Sequence, residues 1–143
     1  MNKMEEKRNE APAEKISIGA ERQRRYRAVR KLRSEPTEER LWEVLLLYSV
    51  VCFKTYSGLT FTYEIRKGRN GQYTKELWID RREKSKSLAW SSVLLALRNI
   101  KNVGEVVDRP KALGDIRGVT YIYGMFYRFG LIDIPGEVKG KMK

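Results

Sequence analysis

Residues 21–33, ERQRRYRAVRKLR, hold a dense run of cations: Arg22, Arg24, Arg25, Arg27, Arg30, Lys31 and Arg33. A guanidinium can set two N–H donors on two oxygens of one phosphate, and that planar fork is how arginine grips polyanions. A second basic block comes later in the chain. Arg66, Lys67 and Arg69 surround a turn, and Arg81, Arg82, Lys84 and Lys86 follow the next apolar segment. The charge is unevenly spread: residues 21–35 carry seven basic and two acidic side chains, residues 54–87 nine and four, while 36–53 sum to −2. Two basic blocks flanking one apolar element predict a basic face and not a diffuse cloud. The net charge is +12, an excess that repels itself unless a partner neutralises it. Nucleic acid is the commonest such partner, because phosphate contacts release condensed counterions.

Catalytic chemistry has little to work with. The chain has no histidine, so the serine and cysteine triads and the common zinc hydrolase sites have no general base. Its one cysteine, Cys52, has no internal disulfide partner and reads as a small core residue in an apolar strand. No phosphate-binding glycine loop or dinucleotide fingerprint occurs; the glycines near Gly114 and Gly118 have the wrong spacing. One enzymatic constellation can be built. Glu64, Glu76 and Asp80 on adjacent strands, followed by Lys84, resemble the carboxylates that hold Mg²⁺ in a nuclease. Exposed sheet carboxylates among arginines are more often surface ion pairs.

These side chains need elements to position them. Residues 1–20 sum to zero charge with few large apolar residues, the composition of a disordered leader. No hydrophobic run follows that would make them a secretory signal. The arginine run reads as a helix with a narrow apolar stripe of Tyr26, Val29 and Leu32. After Pro36, Ser34 or Thr37 can cap a second helix, with Glu35, Glu38 and Glu39 at its positive end. That helix runs through Leu41, Trp42, Val44, Leu45, Leu46 and Tyr48 and is apolar enough to be buried.

A period of two follows. Leu59, Phe61, Tyr63 and Ile65 alternate with Thr60, Thr62, Glu64 and Arg66, the clearest strand signal in the chain. Ser57-Gly58 turns into it from a strand at about 50–56, and Asn70-Gly71 leads out to a third strand over 73–81. Ser85 or Ser87 is expected to cap a helix from Leu88 to Ile100, so Arg81, Arg82, Lys84 and Lys86 would form a strand-to-helix corner suited to phosphate. Trp78 and Tyr56 are either core residues or a platform on which bases stack. Residues 112–132, despite Gly114, Gly118, Gly124 and Gly130, keep a helical spacing of Ile116, Val119, Ile122, Tyr123 and Phe126. A last helix packed through its glycines is expected there, with a frayed basic tail after it.

The segments KTYSGLTFTYEI, ELWIDRREKS and PKALGDIRGVTYIYGMFYRFGLI resemble small uncharacterised proteins of phages and mobile elements of Gram-positive bacteria. That resemblance covers Phe53–Ile132 and implies at most a role such as regulation, replication support or interference with host defence. The order helix, three strands, helix is also similar to the double-stranded RNA-binding domain, and REKSKSLAW to that family's basic helix start. The chain departs from that family where Lys84-Ser85-Lys86-Ser87, then Leu88 and Trp90, replace the lysine pair and small-residue helix.

The sequence therefore predicts an α+β protein: a three-stranded antiparallel sheet packed by helices, with a basic N-terminal extension. The leader spans 1–20, the arginine-rich helical extension 21–35, the compact α+β domain 36–132 and the basic tail 133–143. The expected function is nucleic-acid binding, DNA before RNA, by phosphate contacts in the cytoplasm. No enzyme activity, cofactor, metal or membrane partner is expected, since no stretch reaches the ~20 apolar residues of a membrane span. The alternatives are a mobile-element inhibitor or adaptor on a host protein or ribonucleoprotein, a double-stranded-RNA binder, and a metal-dependent nuclease. At each basic patch the competing reading is a plain solvated surface.

Overall fold

In the arginine-rich segment the buried stripe is Ala28, Val29 and Leu32, with Arg25 half-buried in line with them, while Tyr26 is 64% exposed. At about 3.6 residues per turn, Arg25, Ala28, Val29 and Leu32 share one helix face. Tyr26 lies off that face, so its expected place in the stripe is corrected. The structure, a computed structural model, describes residues 19–80 and 86–143. It divides into two compact units, one ending at Leu47 and the other running Tyr48–Lys143.

In the first unit, α1 covers 19–34 and α2 is Glu38–Leu47. The connection is built as the sequence predicts. Ser34 Oγ donates to Lys31 O at 2.9 Å in the last turn of α1, and Thr37 Oγ1 accepts from Arg40 N at 3.3 Å to cap α2. Glu38 and Glu39 occupy the first turn of α2, where the helix dipole favours anions. Leu41, Val44 and Leu45 are its fully buried residues, and Glu43 is exposed.

The second unit holds the sheet. Strands β1 (Phe53–Lys54), β2 (Thr60–Glu64), β3 (Glu76–Asp80) and β4 (Lys86–Ala89) pair in chain order, each antiparallel to the next. The chain is α+β with an antiparallel sheet, as expected, but the sheet has four strands where three were expected. The fourth is Lys86–Ala89, which the sequence reading assigned to the start of a helix. Leu88, buried opposite Leu77, alternates with exposed Ser87 and Ala89, so the segment is a half-buried strand. Helix α3 (Trp90–Asn99) begins only afterwards, with Ala89 at its cap and no side-chain capping bond.

Register places Phe53 beside Phe61, Tyr63 beside Ile79 and Leu77 beside Leu88, all on the buried face. Rings gather there at offset and edge-on geometries: Phe53 lies 5.6 Å from Phe61 and 5.8 Å from Phe129, and Phe61 lies 5.1 Å from Tyr121. Helix α4 is Val119–Arg128, much shorter than the expected 112–132. Gly114, Gly118 and Gly130 have φ of 127°, 80° and 74° and lie outside it, so three of the four glycines bound the helix instead of lining it. Gly124 alone is internal, and a Cβ there would collide with the Lys54 carbonyl oxygen of β1. Close packing through glycine thus holds at that one position.

The expected frayed tail is instead α5 (Gly136–Lys141), which buries Val138, with Met142 buried just after it. Lys139 Nζ sits 3.0 Å from Asp133 Oδ1, and the turn at Gly58 approaches the Lys141 carbonyl so closely that a Cβ would lie 2.7 Å from it. Cys52, expected in the core, is exposed. It precedes β1, and its carbonyl accepts a 3.0 Å hydrogen bond from Arg128 Nη1.

Candidate nucleic-acid interface

Because α1 turns Arg25, Ala28, Val29 and Leu32 inward, its other cations are left outward. Arg22, Arg24, Arg27, Arg30, Lys31 and Arg33 are all exposed. Helical periodicity arranges them as two ridges: Arg24, Arg27 and Lys31 on one flank, Arg22, Arg30 and Arg33 on the other. Arg27 and Arg30 lie nearest the outward centre. Local contacts extend these side chains along the helix. Arg27 Nη2 donates to Gln23 Oε1 at 3.2 Å, and the Arg30 guanidinium carbon lies 5.7 Å from the centroid of the exposed Tyr26 ring.

Arg25, half-buried, is engaged within its own unit. Its Nε donates to Leu47 O at 2.8 Å, and its Nη2 is 4.0 Å from Glu21 Oε2. A cation on the last carbonyl of α2 satisfies an orphan acceptor and complements the dipole. Arg25 therefore joins the two helices.

The hairpin tip is largely committed to the protein's own groups. Arg66 Nε is 2.7 Å from Glu64 Oε1, and its guanidinium stacks 4.3 Å from the Trp78 centroid. Lys67 Nζ lies 5.3 Å from the Tyr73 ring. Arg69, exposed beside the Asn70-Gly71 turn, is the one tip cation without a partner among the described residues. Lys86 lies in β4 opposite Ile79, so no helix begins beside it, and the helix start expected there falls at Trp90 instead. Arg81, Arg82 and Lys84 lie outside the described residues.

The open face of the sheet carries the opposite charge. Glu64 is paired with Trp78 and Thr62 with Asp80, while Glu76 lies two residues from Trp78 along β3. Trp78 is half-buried among these carboxylates beneath Arg66, an unwelcoming platform for phosphate-bearing bases. Tyr56 is half-buried too, edge-on to Tyr123 with centroids 5.7 Å apart. Among the described residues no three carboxylates or cysteines come close enough to hold a metal ion, and Glu64 is already engaged by Arg66.

One cationic site went unnoticed in the sequence. Arg109 and Lys111, both exposed, line a cleft of about 250 Å³ with Tyr56, Ser57, Val119 and Thr120. The only local signal is the pair of cations flanking Pro110, and nothing in the sequence ties that pair to Tyr56 or Thr120.

No protein family, curated protein or solved structure matches the chain. No helix among the described residues is long and apolar enough to cross a membrane.

Proposed function

We propose that this protein binds nucleic acid, duplex DNA in preference to RNA, through the outward side of α1, and that it acts by binding and not by catalysis. The carrying observation is the arrangement of six exposed cations along both flanks of a helix whose opposite face is buried. An α-helix with side chains is roughly 10–12 Å across, and the B-DNA major groove is roughly 12 Å wide. A helix lying there meets a phosphate wall on each side. The ridge of Arg24, Arg27 and Lys31 would face one wall, and that of Arg22, Arg30 and Arg33 the other. From Arg24 to Lys31 the helix rises about 10 Å, a reach that spans more than one phosphate along a strand.

The preference for DNA follows from groove shape. A-form RNA has a deep, narrow major groove that side chains do not read, so an intact RNA duplex offers α1 only its outer phosphates. Arg27 and Arg30 point toward the groove floor, where guanine presents paired acceptors to arginine, and modest sequence preference would arise there. The resemblance to phage and mobile-element proteins supplies the setting of a mobile-element regulator.

A second reading is favoured by the open sheet face. Trp78 among Glu64, Glu76 and Asp80 is chemistry suited to a protein surface, consistent with an adaptor that also binds a host protein or ribonucleoprotein. Competition separates these readings. If α1 reads a major groove, unlabelled duplex DNA displaces a labelled DNA duplex far better than duplex RNA does, with EDTA present. Equal displacement by both duplexes would reject the groove geometry. Capture of a partner protein that survives nuclease treatment would favour the adaptor.

A further inference from the structure

We propose that the cleft lined by Tyr56, Ser57, Arg109, Lys111, Val119 and Thr120 is an anion site that takes one phosphate of a nucleotide. All its residues lie in the second unit and none belongs to α1, so the inference does not rest on the function proposed above. No carboxylate lines the cleft, although Asp108 is Arg109's neighbour in sequence. Among the described residues the side chains of Arg109 and Lys111 have no ion-pair or hydrogen-bond partner, in contrast to those of Arg25 and Arg66. Two uncompensated cations at one concave site hold a positive potential that a flat surface would dissipate into solvent.

The rest of the lining suits the groups attached to a phosphate. Ser57 and Thr120 supply hydroxyls able to donate to phosphate oxygens, and Val119 and the Tyr56 ring supply apolar surface for a base or sugar. Val119 and Thr120 open α4, whose dipole adds to the positive potential. Lys141 Nζ, 5.8 Å from the Tyr56 centroid, places a third cation near the same ring. At about 250 Å³ the space is smaller than the ~300–1,000 Å³ of sites for drug-sized ligands, so it admits a single nucleotide unit. That nucleotide is either free or part of a strand.

The test is amide chemical-shift mapping of the full chain with three probes: thymidine 5′-monophosphate, thymidine, and a short DNA duplex. The proposal expects the monophosphate or the duplex to shift Ser57, Lys111 and Thr120, and thymidine to leave them unmoved. Changing Arg109→Ala and Lys111→Ala together, both exposed, should weaken that binding roughly tenfold or more through loss of charge-assisted contacts. Shifts with the monophosphate identify a free nucleotide. Shifts with the duplex alone identify a strand phosphate, and these should persist in the Arg24→Ala, Arg27→Ala, Lys31→Ala variant at low salt. Failure of duplex binding with monophosphate shifts intact would sink the α1 function and leave the cleft standing. Equal shifts with thymidine, or none with the monophosphate or the duplex, would overturn the site.

Discussion

Arg25 Nε donates a 2.8 Å hydrogen bond to the carbonyl oxygen of Leu47, the last residue of α2. This contact separates one arginine of α1 from the rest. Arg25→Ala should destabilise the protein by about 1.5–3 kcal/mol, the usual cost of a hydrogen bond made by a charged group. Its intrinsic affinity for DNA should change little, measured well below the midpoint of unfolding. Arg24→Ala should do the reverse, leaving Tm unchanged and weakening binding. Thermal melts and anisotropy on both variants check the pair.

Gly124 and Gly118 resist replacement for different reasons and to different degrees. Gly124→Ala drives a methyl group into the Lys54 backbone, which cannot swing aside, and should cost about 3 kcal/mol or prevent folding. Gly118 caps α4 at φ 80°, and its Cβ would meet Leu88 Cδ1 at 2.6 Å. A leucine side chain can move, so Gly118→Ala should cost about 1–2 kcal/mol, mostly as left-handed backbone strain. Urea unfolding of the two variants should rank them in that order.

Val50 presents the opposite case. It is a β-branched residue at φ 63°, and it is 70% exposed, so little packing depends on its side chain. Relief of a left-handed strain of about 1–2 kcal/mol should outweigh the added chain entropy of glycine, and Val50→Gly should stabilise by roughly 0.5–1 kcal/mol. A fall in the urea midpoint would show that the valine methyls make a contact worth more than the strain.

Tyr123 ties stability to alkaline pH. Its hydroxyl donates to Val107 O at 2.6 Å, and burial, followed by the nearby Tyr56 and Asp108, pushes its pKa from 10.0 up to about 12. The folded state therefore holds the proton more tightly than the unfolded chain. That stabilisation is complete below pH 10 and is lost as pH rises toward about 12. Tyr123→Phe should cost about 1 kcal/mol at neutral pH through the unpaired Val107 carbonyl. Its stability should then fall less steeply than the parent's between pH 10 and 12, as followed by urea midpoints.

Which elements could be read from the sequence depended on how much local signal each carried. Phe61 and Tyr63 alternate with threonines over a full strand, and β2 lies where that alternation predicts. Strand β4 has four residues, and its buried Leu88 follows Ser85 and Ser87, which look like helix caps. Its pairing with Leu77 is a tertiary fact that no local pattern carries. Tyr26 looked inward because aromatic residues dominate periodicity, whereas the true stripe relies on Ala28 and the half-buried Arg25. The basic character of α1 was legible from composition. The division of labour between Arg25 and its neighbours required α2 to end beside it. The cleft was invisible because Tyr56, Arg109 and Thr120 meet only through packing.

The most direct test of nucleic-acid binding by α1 is fluorescence anisotropy with a DNA duplex, titrated across salt in EDTA. It compares the parent protein with the Arg24→Ala, Arg27→Ala, Lys31→Ala variant. The account predicts salt-sensitive binding by the parent and a slope of log K against log salt that flattens by up to about 2.7 in the variant, for three lost phosphate contacts. An unchanged slope, or parent binding no tighter than about 10⁻⁴ M at physiological salt, would contradict it.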